Sequence, residues 1–164
     1  MGFSNPEYVY GELCPNLRGT PHRVVSKATD HYNCLSFAAG DRRRKWDPYG
    51  HRHDRGLFGY WPIEHPRELS LAAFEAAYAS LGYEPCDSPD FERDCQKIAF
   101  YVRDDEVQHV ALQPSDRKGI WKSKLGNLED IEHELEAIAR EQSYGFPTHF
   151  MRRSRAKRPI RRRR

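Results

Sequence analysis

Apolar residues recur at helical spacing most clearly over residues 70–81. Leu71, Phe74, Ala77, Tyr78 and Leu81 share one face there, Ser70 can cap the start and Gly82 ends the run. A shorter helix is expected over residues 32–40, with Asn33 as its N-cap, Gly40 as its stop, and Leu35, Ala38 and Ala39 on one side. Downstream the period changes. Residues 97–102 are rich in strand formers, Asp104-Asp105 marks a turn, and residues 107–113 and 119–125 continue as two more strands around a loop at 114–118. Alternation along the middle strand puts Val107, His109, Ala111 and Gln113 on one face. A second long helix is expected from residue 127 to about 141, with Ile131, Leu135 and Ile138 as its buried stripe and acids in its first turn. Residues 144–150 suit a last short strand. Breakers fill residues 1–30, which read as an irregular lead-in with a short strand at 23–25. Residues 41–66, polar, basic and aromatic, read as a long loop.

These patterns predict an α+β fold in which a short N-terminal helix bearing Cys34 packs on an antiparallel β-meander, with two further helices. At 164 residues the chain suits one domain, and its 8 Phe, 9 Tyr and 3 Trp can fill a core. No apolar run approaches the roughly 20 residues of a membrane helix, and the first ten residues lack a signal-peptide pattern, so a cytoplasmic protein with no membrane partner is expected. Charge divides the chain. Residues 151–164 carry nine cations and no acid, more than the whole chain's net +3, so residues 1–150 are net acidic. The tail is expected to be disordered, and Arg152, Arg153, Arg155, Arg161 and Arg162 would hold nucleic acid weakly and without sequence preference.

The candidate chemistry is a thiol and an imidazole. Cys34 sits at a helix start, which lowers a thiol's pKa, and His109 sits on a rigid strand from which a base could be aimed. A hairpin closed over 114–118 sets His109 opposite Ser123, with Gln113 further along the same face; Ser123 or Gln113 would orient the ring. The alternative is a buried cysteine and a satisfied strand histidine in a non-catalytic binding module, its pocket formed by Asn33, Trp46, Trp61 and Trp121. Cys14, Cys34, Cys86 and Cys95 show no metal or redox spacing, and His51-Arg52-His53-Asp54 with His65 reads as solvated loop, so neither metal nor cofactor is expected. His133, near the start of the last helix, could approach the sheet and replace Ser123 as partner to His109, but a surface position is expected.

Several strings carry a resemblance: Asp30-His31-Tyr32-Asn33-Cys34-Leu35-Ser36-Phe37-Ala38-Ala39-Gly40-Asp41, Tyr60-Trp61-Pro62, and Gly82-Tyr83-Glu84-Pro85-Cys86. So do His109-Val110-Ala111-Leu112-Gln113, Trp121-Lys122-Ser123-Lys124-Leu125-Gly126 and Asp130-Ile131-Glu132-His133. Over residues 14–150 the order and spacing resemble an uncharacterised family of small bacterial proteins. More distantly, cysteine at a helix start followed by a meander with histidine on its second strand is similar to the papain-like, NlpC/P60-type cysteine hydrolases. That resemblance implies a peptidase or amidase with Cys34 as nucleophile, His109 as base and Ser123 or Gln113 orienting it. Tyr32-Asn33 before the cysteine departs from the pattern, as does a third residue that is neither a clear His nor Asn.

Overall fold

A computed structural model describes residues 1–50 and 59–155. Seven strands form one antiparallel sheet: β1 (His22–Val24), β2 (Glu84–Cys86), β3 (Cys95–Arg103), β4 (Glu106–Gln113), β5 (Trp121–Lys124), β6 (Asp130–His133) and β7 (Phe146–Ser154). Their spatial order is β1-β6-β5-β4-β3-β7-β2. β3 to β6 are consecutive neighbours, as a meander requires, and the α+β expectation holds. The helices are short: α1 (Pro6–Tyr8), α2 (Cys34–Ala38) and α3 (Leu71–Ala79), with π and 3-10 turns at Val9–Leu13, Pro15–Gly19 and Leu135–Ile138.

Local chemistry accounts for most of these boundaries. Asp104 and Asp105 both take positive φ, 51° and 61°, as the tight turn between β3 and β4 needs, and aspartate tolerates that region. Ser70 caps α3 by accepting from the Ala73 N–H. The helix buries Ala73, Phe74, Ala77 and Tyr78 against one sheet face, and the Tyr78 hydroxyl donates to Leu35 O at 2.7 Å, which fixes α2 beside it. Phe74, Phe100, Trp46 and Trp61 belong to that cluster. A second cluster on the other face joins Tyr101, Ala111, Trp121 and Ile131 to Val9, Cys14 and Leu17 of the N-terminal segment. The lead-in is therefore core, its turns ordered by burial.

Three sequence expectations are corrected. Residues 127–141 are not a helix: β6 occupies Asp130–His133 and a 3-10 turn follows. Ile131 and Ile138 are buried, but Ile131 is a strand residue in register with Val24 and Ser123. Tertiary pairing has overridden helical spacing there. The final strand is longer than expected and continues past residue 150 through Ser154, after which Arg155 N donates to Asp94 O. Glu84–Cys86, read only as a motif, forms the edge strand β2.

Candidate functional site

Asn33 builds the start of α2. Its Oδ1 accepts from the N–H of Ser36 at 3.1 Å and of Trp46 at 3.2 Å, and its Nδ2 donates to Trp46 O at 2.7 Å. Ser36 Oγ accepts in return from Asn33 N, closing a capping box. One side chain thus starts the helix, places Cys34 in its first turn and ties both to the loop at Trp46. Replacing Asn33 with alanine is expected to cost about 2 kcal/mol in chemical denaturation, the upper end for a lost cap, since the Trp46 bonds go too. A cost under about 0.5 kcal/mol would show that the cap is redundant.

Cys34 is half-buried and packs with the cluster that contains Val110, Phe74 and Tyr78. Burial pushes its thiol up to about 11, with the Val110 and neighbouring backbone, and more weakly Lys124, pulling the other way. The sulfur therefore meets β4 at the residue that follows His109. No hydrogen bond joins it to the imidazole among the described residues, and the low-pKa thiolate expected at a helix start is not what this environment gives.

His109 is fully buried and belongs with the other cluster. Its ring is stacked on Tyr144, centroids 4.2 Å apart at 26°, and meets Tyr101 edge-on at 5.4 Å. The strand turns on a bulge here. Tyr101 pairs with His109 but Val102 with Val107, so Gln108 is the extra residue. The bulge swings Val107 to the Cys34 side, into the cluster of Val110. The expectation that Val107 shares a face with His109 is thereby corrected.

Ser123 does stand beside the imidazole, but not by the expected register. β4 and β5 pair only at Leu112 and Lys122, which sets Ser123 across from Ala111 rather than His109. The offset is two residues, so Ser123 keeps its face, and its Oγ lies 2.9 Å from His109 Nε2. The same oxygen is 2.7 Å from Nε2 of His133, which is buried rather than at the surface. His133 Nδ1 is 2.6 Å from Glu134 O.

These contacts fix every proton. A carbonyl only accepts, so His133 carries its hydrogen on Nδ1 and presents a bare Nε2. Burial pushes His133 down to about 4 and His109 well below the usual histidine range, the second helped by the first, so both rings are neutral at pH 7. Ser123 must then donate to His133 and accept from His109 Nε2–H. What remains is the lone pair of His109 Nδ1, buried and without a hydrogen bond among the described residues.

The other expected site residues are dispersed. Gln113 Nε2 donates to Pro89 O and holds that loop, so it does not orient His109. Trp46 and Trp61 touch each other in one cluster, centroids 6.4 Å apart, whereas Trp121 belongs to the second; the three cannot wall one pocket because the sheet separates them. Asn33 and Trp46 do line a cleft at Cys34. Arg152 pairs with Glu84 and Glu92 at the surface, and Arg153 bonds Gln96 and Leu81 O, so both already have partners on the domain. Arg155 binds Gln96. Arg161 and Arg162 lie outside the described residues, as does His51-Arg52-His53-Asp54. Among the described residues all four cysteines are free, no cluster is arranged to hold a metal, and no helix is long and apolar enough to cross a membrane.

Sequence reasoning missed Tyr144 and Lys124, and it favoured the surface for His133, which is buried. Lys124 is fully buried beneath Tyr32, its ammonium donating to Leu128 O, and Asp130 beside it accepts from the Tyr32 hydroxyl at 2.6 Å. The spacing around His133 does not separate a strand that buries it from a surface helix, and a lysine on an expected strand gives no signal that its ammonium is buried.

No curated protein and no solved structure matches this chain. A family match does exist and spans residues 23–152, which takes in α2, α3, the whole relay from His109 to His133 and nearly all of β7; the chain belongs to the family described as "Domain of unknown function (DUF7689)".

Proposed function

We propose that the chain is a cysteine hydrolase of peptide or amide bonds, similar in plan to the papain-like NlpC/P60-type enzymes, working in the cytoplasm where Cys34 stays reduced. The observation that supports this is the relay from Glu134 O through His133 and Ser123, which leaves His109 Nδ1 without a hydrogen bond among the described residues, on the strand that Cys34 packs against. In the reaction the Cys34 proton passes to His109 Nδ1 and the sulfur adds to the carbonyl carbon. The C–N bond then breaks as Nδ1 returns that proton to the leaving nitrogen. Water, deprotonated by the same nitrogen, cleaves the thioester to a carboxylic acid and restores the thiol. Ser123 and His133 act as positioning residues that hold the tautomer. At rest the two groups lie on opposite faces of β4, Cys34 with Val110 and His109 with Tyr101 and Tyr144, so the transfer requires the sheet to open at β4.

A non-catalytic binding module is the second reading, and the Cys34 thiol at about 11 favours it. Alkylation separates the two. A hydrolase should show iodoacetamide labelling of Cys34 at pH 7 faster than that of the buried Cys14, with the rate falling about 100-fold in His109→Ala. A Cys34 rate that climbs only toward pH 11 and ignores His109→Ala would overturn the hydrolase.

A further inference from the structure

The cleft beside Cys34 is about 360 Å³, near the low end of the roughly 300–1,000 Å³ of small-ligand sites. Its walls come from five parts of the chain, one of them α2 with Cys34 itself. Phe74 reaches it from α3, Leu69 from the segment before α3, Trp46 from the loop, and Val107 from β4. Val107 is there only because the bulge at Gln108 turns it to this side. Leu69, Phe74 and Val107 give the cleft an apolar side, while Gln108 and Asn33 add amides and Asp47 a carboxylate. Tyr49, at the mouth, leaves 61% of its surface exposed, an aromatic ring on a polar loop with solvent on one side.

Resting on the hydrolase reading, we propose that this cleft is the specificity pocket and takes a bulky apolar side chain, phenylalanine or leucine, on the acyl side of the scissile amide. The volume suits one large side chain with its adjoining amide. An anionic side chain would be desolvated against Leu69, Phe74 and Val107 and face Asp47, with no cation among the described lining residues to receive it. Glycine would leave the apolar wall unfilled.

The test uses the full chain and a series of N-acetyl amino-acid acyloxymethyl ketones, in which the thiolate displaces a carboxylate and forms a thioether. The amino acid is Phe, Leu, Gly, Asp or Lys, and intact mass with peptide mapping locates the adduct. Phe and Leu reagents should alkylate Cys34 at least about 10-fold faster than Gly or Asp, the ratio that one filled apolar pocket supports. Tyr49→Ala, a change at an exposed position, should reduce the Phe-over-Gly ratio without altering the reactivity order of the other cysteines. Equal rates across the series, or a faster Asp or Lys reagent, would overturn the pocket assignment while leaving the hydrolase standing. Failure of every reagent to alkylate Cys34, with Cys86 or Cys95 labelled instead, would overturn both.

Discussion

Ser123→Ala should destabilise the fold by about 3 kcal/mol, although the change removes a single oxygen. That oxygen accepts from His109 Nε2 and donates to His133 Nε2, and all three side chains are buried. Alanine leaves one buried N–H and one buried ring nitrogen without partners, each worth roughly 1–3 kcal/mol. Little compensation is available nearby, because His109 is clamped between Tyr101 and Tyr144 and His133 is fixed through Glu134 O. Urea unfolding at pH 7.5 gives the number. A loss below about 1 kcal/mol would show that the rings find other partners, and that the serine does not hold the His109 tautomer. The consequence for chemistry is separable from the consequence for stability. In folded Ser123→Ala, His109 is free to carry its proton on Nδ1, so alkylation of Cys34 should fall even where the protein remains folded.

Mild acid should also destabilise the protein, and the sign follows from the same two rings. His133 is held at about 4 in the folded state and returns to about 6.5 when unfolded, because burial penalises its charged form. The folded state keeps it neutral while the unfolded chain takes up a proton below about 6.5. Stability is therefore complete above that pH and drains away as pH falls toward 4, by about 3 kcal/mol from His133. His109 is displaced in the same direction and adds to the loss. The carboxylates of Glu132 and Glu92, lowered by their hydrogen bonds and ion pairs with Arg117 and Lys97, lose their contribution only further down. Urea midpoints between pH 7.5 and 5 thus isolate the imidazoles. They should fall steadily across that window, and a flat profile would contradict the buried neutral relay.

The sequence was informative where residue type alone decides the structure. Asn33, Ser70 and the Asp104-Asp105 turn were legible because a cap or a tight turn is a local demand that one side chain meets. The apolar stripe of α3 was legible because its period spans the whole helix. Residues 127–141 misled because Ile131, Leu135 and Ile138 satisfy helical spacing, while the pairing partner that makes Ile131 a strand residue, Val24, lies more than a hundred positions away. In the candidate site, Ser123 was found from the right face through a register wrong by two, since parity survives an even slip. His133 was lost with the helix that was expected to carry it. Cys34 was located correctly at the helix start, but its environment was not, because the sulfur's neighbours come from α3 and β4, which sequence proximity does not connect to it.

The single backbone pairing between β4 and β5 has a further meaning for cooperativity. The sheet falls into two subunits of stability, β1-β6-β5 on one side and β4-β3-β7-β2 on the other, joined at Leu112 and Lys122. The His109–Ser123 bond crosses the same seam, as a side-chain rivet where the ladder has ended. Sub-global opening in such a sheet runs along the seam rather than through either half, and the first buried groups it would hydrate are the imidazole and the hydroxyl. The candidate base is thus placed where the molecule's own breathing reaches it.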